Sequence, residues 1–107
     1  GKEKLDFTYI EDLINGIICV INSKNSYQET FNLTYGNSRT INILLENLKK
    51  EFPNIKVEYK KRDKLTPLRG TLDISKAKKL INFKPSWSLE KGYSQYIKWY
   101  KNLFKSQ

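Results

Sequence analysis

The order of elements in the last third of the chain constrains the fold more than any other feature. Arg69-Gly70-Thr71-Leu72-Asp73 is a short, basic, strand-like segment that feeds a compact helix. Asp73 stands where a helix cap belongs, and Ile74, Ala77, Leu80 and Ile81 recur behind it at helical spacing. Asn82-Phe83-Lys84-Pro85 then turns the chain, because a proline disfavours helical backbone in the residue before it. From about Ser88 to Phe104 the sequence reads as one aromatic-rich helix. Leu89, Tyr93, Tyr96, Ile97, Tyr100, Leu103 and Phe104 form its apolar face, and Trp87 and Trp99 add large area to bury.

Any sheet must therefore come from the first sixty residues. Ile10, Leu13, Ile14, Ile17, Ile18 and Ile21 make one apolar stripe at helical spacing. Thr8 and Glu11 stand in capping-box relation, which predicts a start near Tyr9; Gly16 weakens the helix slightly, and Asn22 to Ser26 end it as a polar loop. Glu29 to Leu33, with Phe31 and Leu33 alternating against polar neighbours, reads as a strand, and Tyr35-Gly36-Asn37-Ser38 as a turn. Ile41, Leu44, Leu45, Leu48 and Phe52 predict a second amphipathic helix from Thr40 to about Glu51, broken at Pro53-Asn54. Ile55, Val57 and Tyr59 alternate with Lys56, Glu58 and Lys60, which predicts a strand with one wet face. Lys60 to Arg69 reads as an ordered basic loop. The expectation is a single α/β domain over residues 1–107, with about four helices and a small sheet from residues near 5–9, 30–34 and 55–60.

Composition narrows the chemistry. No apolar run approaches the roughly 20 residues that span a bilayer, and no secretory pattern is present, so the chain reads as cytoplasmic with no membrane partner. One cysteine and no histidine exclude an intramolecular disulfide and a Cys/His zinc site; no metal is expected. Cys19, among isoleucines and a valine, reads as a buried, inert thiol. The net charge of +9 admits a nucleic acid, an anionic small molecule or a plain surface bias. Seventeen lysines spread along the chain against three arginines, with asparagine and isoleucine also abundant, favour the bias over base recognition. The aromatics of the last helix lie at core spacing rather than as a stacking platform. Asn32-Leu33-Thr34 fits a glycosylation sequon, but lies in a predicted strand where the acceptor is poorly placed.

Three segments carry a family resemblance. Leu5-Asp6-Phe7-Thr8-Tyr9-Ile10-Glu11-Asp12 resembles a segment of Arg, Asp, aromatic, two variable positions, Val or Ile, any residue and Asp that opens a helix. Phe31-Asn32-Leu33-Thr34-Tyr35-Gly36 resembles a strand and turn usually written Asn-Ile-Gly-X-Gly. The stretch from Arg69 to Tyr100 resembles the closing helices. In this order they resemble the C-terminal end of nucleotide-sugar epimerases and dehydratases, the extended branch of the short-chain dehydrogenase/reductase superfamily, enzymes of carbohydrate metabolism. The resemblance implies a substrate-binding lobe for a UDP-, dTDP- or GDP-sugar, with NAD held by a Rossmann part outside this chain. It also implies a homodimeric parent that pairs through upstream helices, while this piece alone is monomeric. Five isolated glycines cannot wrap a pyrophosphate, and none of the seven tyrosines has a lysine four residues on. No catalytic residue is therefore expected here, and the piece alone is expected to be inactive. Gly1 to Leu5 reads as the middle of a folded element, so the chain is expected to continue upstream.

The resemblance also picks out candidate substrate contacts. Arg62 stands in the loop after the 55–60 segment, where the family places a diphosphate-binding arginine; it is otherwise a solvated cation beside Lys60, Lys61 and Lys64. Arg69 precedes Gly70-Thr71-Leu72-Asp73 as an arginine does in some sugar dehydratases, or pairs with Asp73. Phe7 takes the family's aromatic position near the nucleotide, or packs in the core. Asp12 is read as structural, at a helix N-terminus. The chain departs from the pattern at Leu5, where the family carries a phosphate-binding arginine, so Lys4 compensates or the grip differs. The rival reading is a free-standing basic module that holds RNA, DNA or a protein on its Lys60–Arg69 loop.

Overall fold

The computed structural model describes residues 1–105. Four α-helices run Ile10–Asn22 (α1), Ile41–Glu51 (α2), Ser75–Ile81 (α3) and Leu89–Lys105 (α4), with a 3₁₀ turn at Lys24–Ser26. The sheet is one short antiparallel pair, β1 (Lys4–Leu5) and β2 (Arg39–Thr40), with Lys4 opposite Thr40 and Leu5 opposite Arg39. The α/β class and the four helices stand as expected.

The strands do not fall where alternation placed them. Residues 30–34 and 55–60 are irregular, and β1 pairs instead with the residues just before α2. A strand is defined by a backbone partner as well as by side-chain period, and among the described residues neither segment has one. Ile55 and Val57 are still half-buried while Lys56 and Glu58 are exposed, but Tyr59, the third inward position of the alternation, is 65% exposed, so the alternation reports burial only over its first half. β2 is extended because Thr40 caps α2, its hydroxyl accepting from the Ile43 N–H at 3.3 Å. The chain start satisfies the next two donors: Ile41 N–H donates to the Glu3 carbonyl at 3.1 Å and Asn42 N–H to that of Gly1 at 2.9 Å.

The core lies around α3. Ile74, Ala77, Ile81 and Phe83 are buried together, with Cys19, Val20, Phe31, Leu33 and Leu80 packed on them. Asn82 ends α3 in the left-handed conformation (φ 55°), and the Phe83 N–H closes back on the Ala77 carbonyl at 3.2 Å. That αL cap swings the Phe83 ring inward, where it is 1% exposed. α1 crosses this ring at Gly16. A Cβ there would sit 3.0 Å from the Phe83 ring and 3.1 Å from a Leu33 methyl, so the glycine is a packing requirement rather than a weakness.

α1 is oriented opposite to the simplest reading of its stripe. Asp12, Gly16, Cys19 and Val20 face the core, and Ile10, Ile14, Ile17, Ile18 and Ile21 are 46% to 75% exposed. The expected capping box is absent. The Thr8 hydroxyl is engaged elsewhere, donating to the Asp6 carbonyl and accepting from the Tyr35 N–H at 3.2 Å. α4 buries Leu89, Gly92 and Ile97, but Trp99, expected inside, is 57% exposed, with Tyr96 and Leu103 also open. α2 packs on α4, tied by Lys101 to Glu51 at 2.7 Å.

The molecule is a plate of 50 × 41 × 19 Å with a radius of gyration of 16.8 Å. A compact chain of this length has a radius near 13 Å. Its accessible surface is 8484 Å². A closed monomer of this mass shows about 6,200 Å², so roughly 2,000 Å² remains uncovered.

Arg39 forks onto the Glu90 carboxylate, joining β2 to α4. The Glu90 carboxyl is held below its ordinary value, first by its own backbone N–H at the helix start, then by Arg39, with partial burial opposing. A depressed carboxylate adds stability above its unfolded pKa and loses it as pH falls through the folded one. Glu90→Gln is therefore expected to lower the urea midpoint at pH 7, with the difference from wild type shrinking as pH falls into the acid range. Equal losses at pH 7 and in the acid range would contradict this.

Candidate functional site

The carboxylate of Asp6 organises the site. Its Oδ1 accepts from the Gly36 N–H at 3.0 Å; its Oδ2 accepts from the Thr34 hydroxyl at 2.8 Å and the Leu72 N–H at 3.1 Å. Three segments far apart in sequence meet at one residue. Gly36 can take its place because its φ of +78° and the nearness of Ile74, 2.8 Å from where a Cβ would be, leave no room for a side chain. A second tie runs from the Ser38 N–H to the Thr71 hydroxyl at 3.0 Å, and that hydroxyl donates to Ser38 Oγ at 2.6 Å.

These ties shape a hollow of about 580 Å³ lined by Leu5, Asp6, Phe7, Thr34, Leu68, Arg69, Gly70 and Leu72. Phe7 and Arg69, two of the three expected contacts, thus face one cavity. Among the described residues Arg69 makes no ion pair. Asp73, its expected partner, instead accepts from the Ser75 N–H at 2.9 Å, a bond that lowers the carboxyl's pKa. Lys4 and Arg69 line an adjoining hollow with Leu5 and Pro67, so a second cation stands close to the place left by the missing arginine.

Arg62 lies apart. It lines a different hollow with Asn42, Tyr59 and Asp63; its Nε pairs with Glu3 at 2.8 Å and its guanidinium also donates to the Thr66 carbonyl. The structure brings Phe7 and Arg69 together and leaves Arg62 outside that cavity.

Phe7 also borders an aromatic cleft of about 420 Å³ between the starts of α1 and α4, walled by Tyr9, Trp87, Tyr93 and Tyr96. The Tyr9 and Trp87 rings meet at 4.5 Å between centroids, tilted by 35°, and Lys91 lies 4.1 Å from the centre of the Trp87 ring. Gly92 permits this approach, since a Cβ would stand 3.0 Å from the Tyr9 ring. Burial, and then Tyr96, push the Tyr93 hydroxyl above its ordinary pKa.

Asp12 holds the entry to this cleft. It is 1% exposed and accepts from the Ser86 and Trp87 N–H groups, each at 2.9 Å. Its role is structural, as read from the sequence, but it acts across the fold on the segment that launches α4. Asp6 was visible only as a motif letter; the sequence signal was an acid beside Phe7, followed by hydroxyl and glycine donors at Thr34 and Gly36. Among the described residues no three His, Cys, Asp or Glu side chains converge on a metal position, and no helix is long and apolar enough to cross a membrane.

No protein-family model matches the chain. Individual proteins do. It is 37% identical to the UDP-glucuronate 4-epimerase of Thermodesulfobacterium geofontis, over 94% of this chain and 31% of that protein. It superposes on the crystal structure of UDP-glucose 4-epimerase from Thermotoga maritima with UDP-glucose at a TM-score of 0.86 and 25% identity, over 97% of this chain and 33% of that one. UDP-glucuronic acid 4-epimerase from Bacillus cereus, solved in complex with NAD, superposes at 0.63 and 26% identity, over 86% and 29%. Fold and sequence thus carry the stamp of the nucleotide-sugar epimerases of the short-chain dehydrogenase/reductase type, as the motifs imply. The chain spans about a third of the length of the curated relatives it matches.

Proposed function

We propose that the chain is the substrate-binding, C-terminal lobe of an NAD-dependent nucleotide-sugar epimerase or dehydratase, with the Rossmann part supplied by residues outside it. The observation that carries the reading is the cavity shared by Phe7 and Arg69, with Lys4 beside it. A planar guanidinium and an ammonium suit the oxygens of a diphosphate, and the Phe7 ring suits the adjoining nucleoside. Grip at the diphosphate, remote from the reacting carbon, orients the sugar for hydride transfer to and from NAD on the other lobe. Arg62 joins the grip only by leaving Glu3, which makes it a secondary contact in this reading.

The uncovered surface supports the two-lobe reading. α1 has apolar side chains on two faces, with Glu11 and Asn15 on the exposed strip between them, and carries no Lys or Arg in a chain of net charge +9. A broad apolar helix face is normally buried against another element. Ile10 lines the aromatic cleft, so the isoleucine stripe runs into Tyr96 and on to Trp99 of α4 as one apolar face. The excess area is in the range that large obligate interfaces bury. Ile14→Lys with Ile18→Lys is expected to change the unfolding free energy of the isolated chain, read by urea titration, by under about 0.5 kcal/mol while strongly reducing its binding of an apolar fluorescent dye. A large loss of stability would mean that the stripe is already covered.

Calorimetric titration with UDP tests the reading. Removing a charge-assisted phosphate contact costs about 1.5–3 kcal/mol, so Arg69→Ala is expected to weaken UDP binding roughly tenfold or more. Arg62→Ala is expected to have the smaller effect. Absence of UDP binding at millimolar concentration, together with strongly salt-dependent binding of oligonucleotides, would overturn the reading in favour of the basic module.

A further inference from the structure

The three bonds to Asp6 point to a role beyond folding. The Leu72 N–H belongs to the Arg69–Asp73 segment, the Gly36 N–H and the Thr34 hydroxyl to the segment after α1, and Phe7 is Asp6's chain neighbour. Two of the cavity's walls are thus fixed to each other through a single carboxylate whose two oxygens are both occupied. Residues 60–70 are exposed throughout; Arg62 ties the loop to Glu3 and to the Thr66 carbonyl, but Arg69 itself makes no ion pair among the described residues, so the Leu72 bond is the tie on its C-terminal side that leads to Phe7. The Thr71 tie to Ser38 holds the segment to β2's approach rather than to Phe7.

We infer that Asp6 is a positioning residue for anion binding: it sets Arg69 against Phe7 by holding the Leu72 amide, and touches no ligand itself. The inference rests on the proposed diphosphate site. It also accounts for chemistry that a neutral acceptor could not supply. An asparagine keeps one carbonyl oxygen for Gly36 but turns an NH₂ donor toward the other two partners; the Thr34 hydroxyl can rotate to accept from it, whereas the Leu72 N–H is left donor against donor.

The experiment is a double-mutant cycle on Asp6→Asn and Arg69→Ala, read by UDP titration and by amide exchange at Leu72. Asp6→Asn is expected to raise Leu72 exchange at least about tenfold with α3 protection unchanged, and to weaken UDP binding by about tenfold. The double variant is expected to bind no more weakly than Arg69→Ala alone, because Asp6 acts through Arg69; general loosening of the lobe would make the two losses add. Should Asp6→Asn fail to fold, Thr34→Val removes one of the two donors on the same oxygen and is expected to give a smaller loss of the same kind. If Arg69→Ala leaves UDP affinity unchanged, the proposed site fails. If Arg69→Ala weakens binding but Asp6→Asn changes neither affinity nor Leu72 exchange, or adds fully to Arg69→Ala, the site stands and the inference about Asp6 is overturned. If the wild-type chain binds no UDP, unchanged Leu72 exchange in Asp6→Asn overturns the positioning role by itself.

Discussion

Phe83→Ala is expected to cost about 3–5 kcal/mol, the range for truncating a buried aromatic, and to abolish cooperative urea unfolding at 25 °C. Small domains hold only about 5–15 kcal/mol in total, and this plate buries less than most. Phe83 is where the pieces converge: the αL cap at Asn82 delivers it, Ala77 and Ile81 flank it, and Gly16 of α1 lies against its ring. No neighbour can collapse into the space without moving α1. Phe83→Leu keeps most of the volume and is expected to cost about 1.5 kcal/mol or less. Similar midpoints for wild type and the alanine variant would show that α3 and α1 do not share this core.

The second large effect is expected at Asp12. Its carboxylate is the acceptor for two backbone donors at the start of α4, Ser86 N–H and Trp87 N–H. Asp12→Ala removes the acceptor and leaves both donors facing a cavity. An unsatisfied buried donor costs roughly 1–3 kcal/mol; Trp87 is half-buried while Ser86 is exposed, where water can take its N–H, so a loss of about 1–3 kcal/mol is expected. The loss should be local as well as global, because Trp87 packs on the Tyr9 ring and walls the aromatic cleft. Trp87 emission is expected to shift to the red in native buffer, before any unfolding. An unchanged spectrum with an unchanged midpoint would mean that α4 is positioned by other contacts, such as the Arg39–Glu90 fork.

All four helices were legible from spacing and punctuation. The spacing of Ile41, Leu44, Leu45 and Leu48 announced α2, and Asn82 before Phe83-Lys84-Pro85 announced the end of α3. The sheet was not legible, because two-residue strands arise from which backbones meet, and the β1–β2 register joins residues 35 or so apart in sequence. The Ile55, Val57 and Tyr59 alternation predicted half-burial correctly for the first two, failed at Tyr59, and predicted pairing incorrectly. The facing of α1 was ambiguous for a physical reason: with Cys19 and Val20 on one side and five isoleucines on the other, no periodicity chooses between them. Gly16 and Asp12, spaced by one turn, were the marks of the inward face. At the candidate site, motif resemblance supplied Phe7 and Arg69, which the fold places on one cavity. It could not supply Asp6's role, since its partners lie 28, 30 and 66 residues away and leave no local pattern.

The central claim is that this plate is one side of a two-lobed enzyme. Sequencing the coding region immediately 5′ of the Gly1 codon tests it most directly. The account predicts an uninterrupted frame about twice the length of this chain, with a glycine-rich turn after a strand near its start and a Tyr-X-X-X-Lys pair further on. An initiation codon directly ahead of Gly1, with no coenzyme-binding segment in frame, would contradict it.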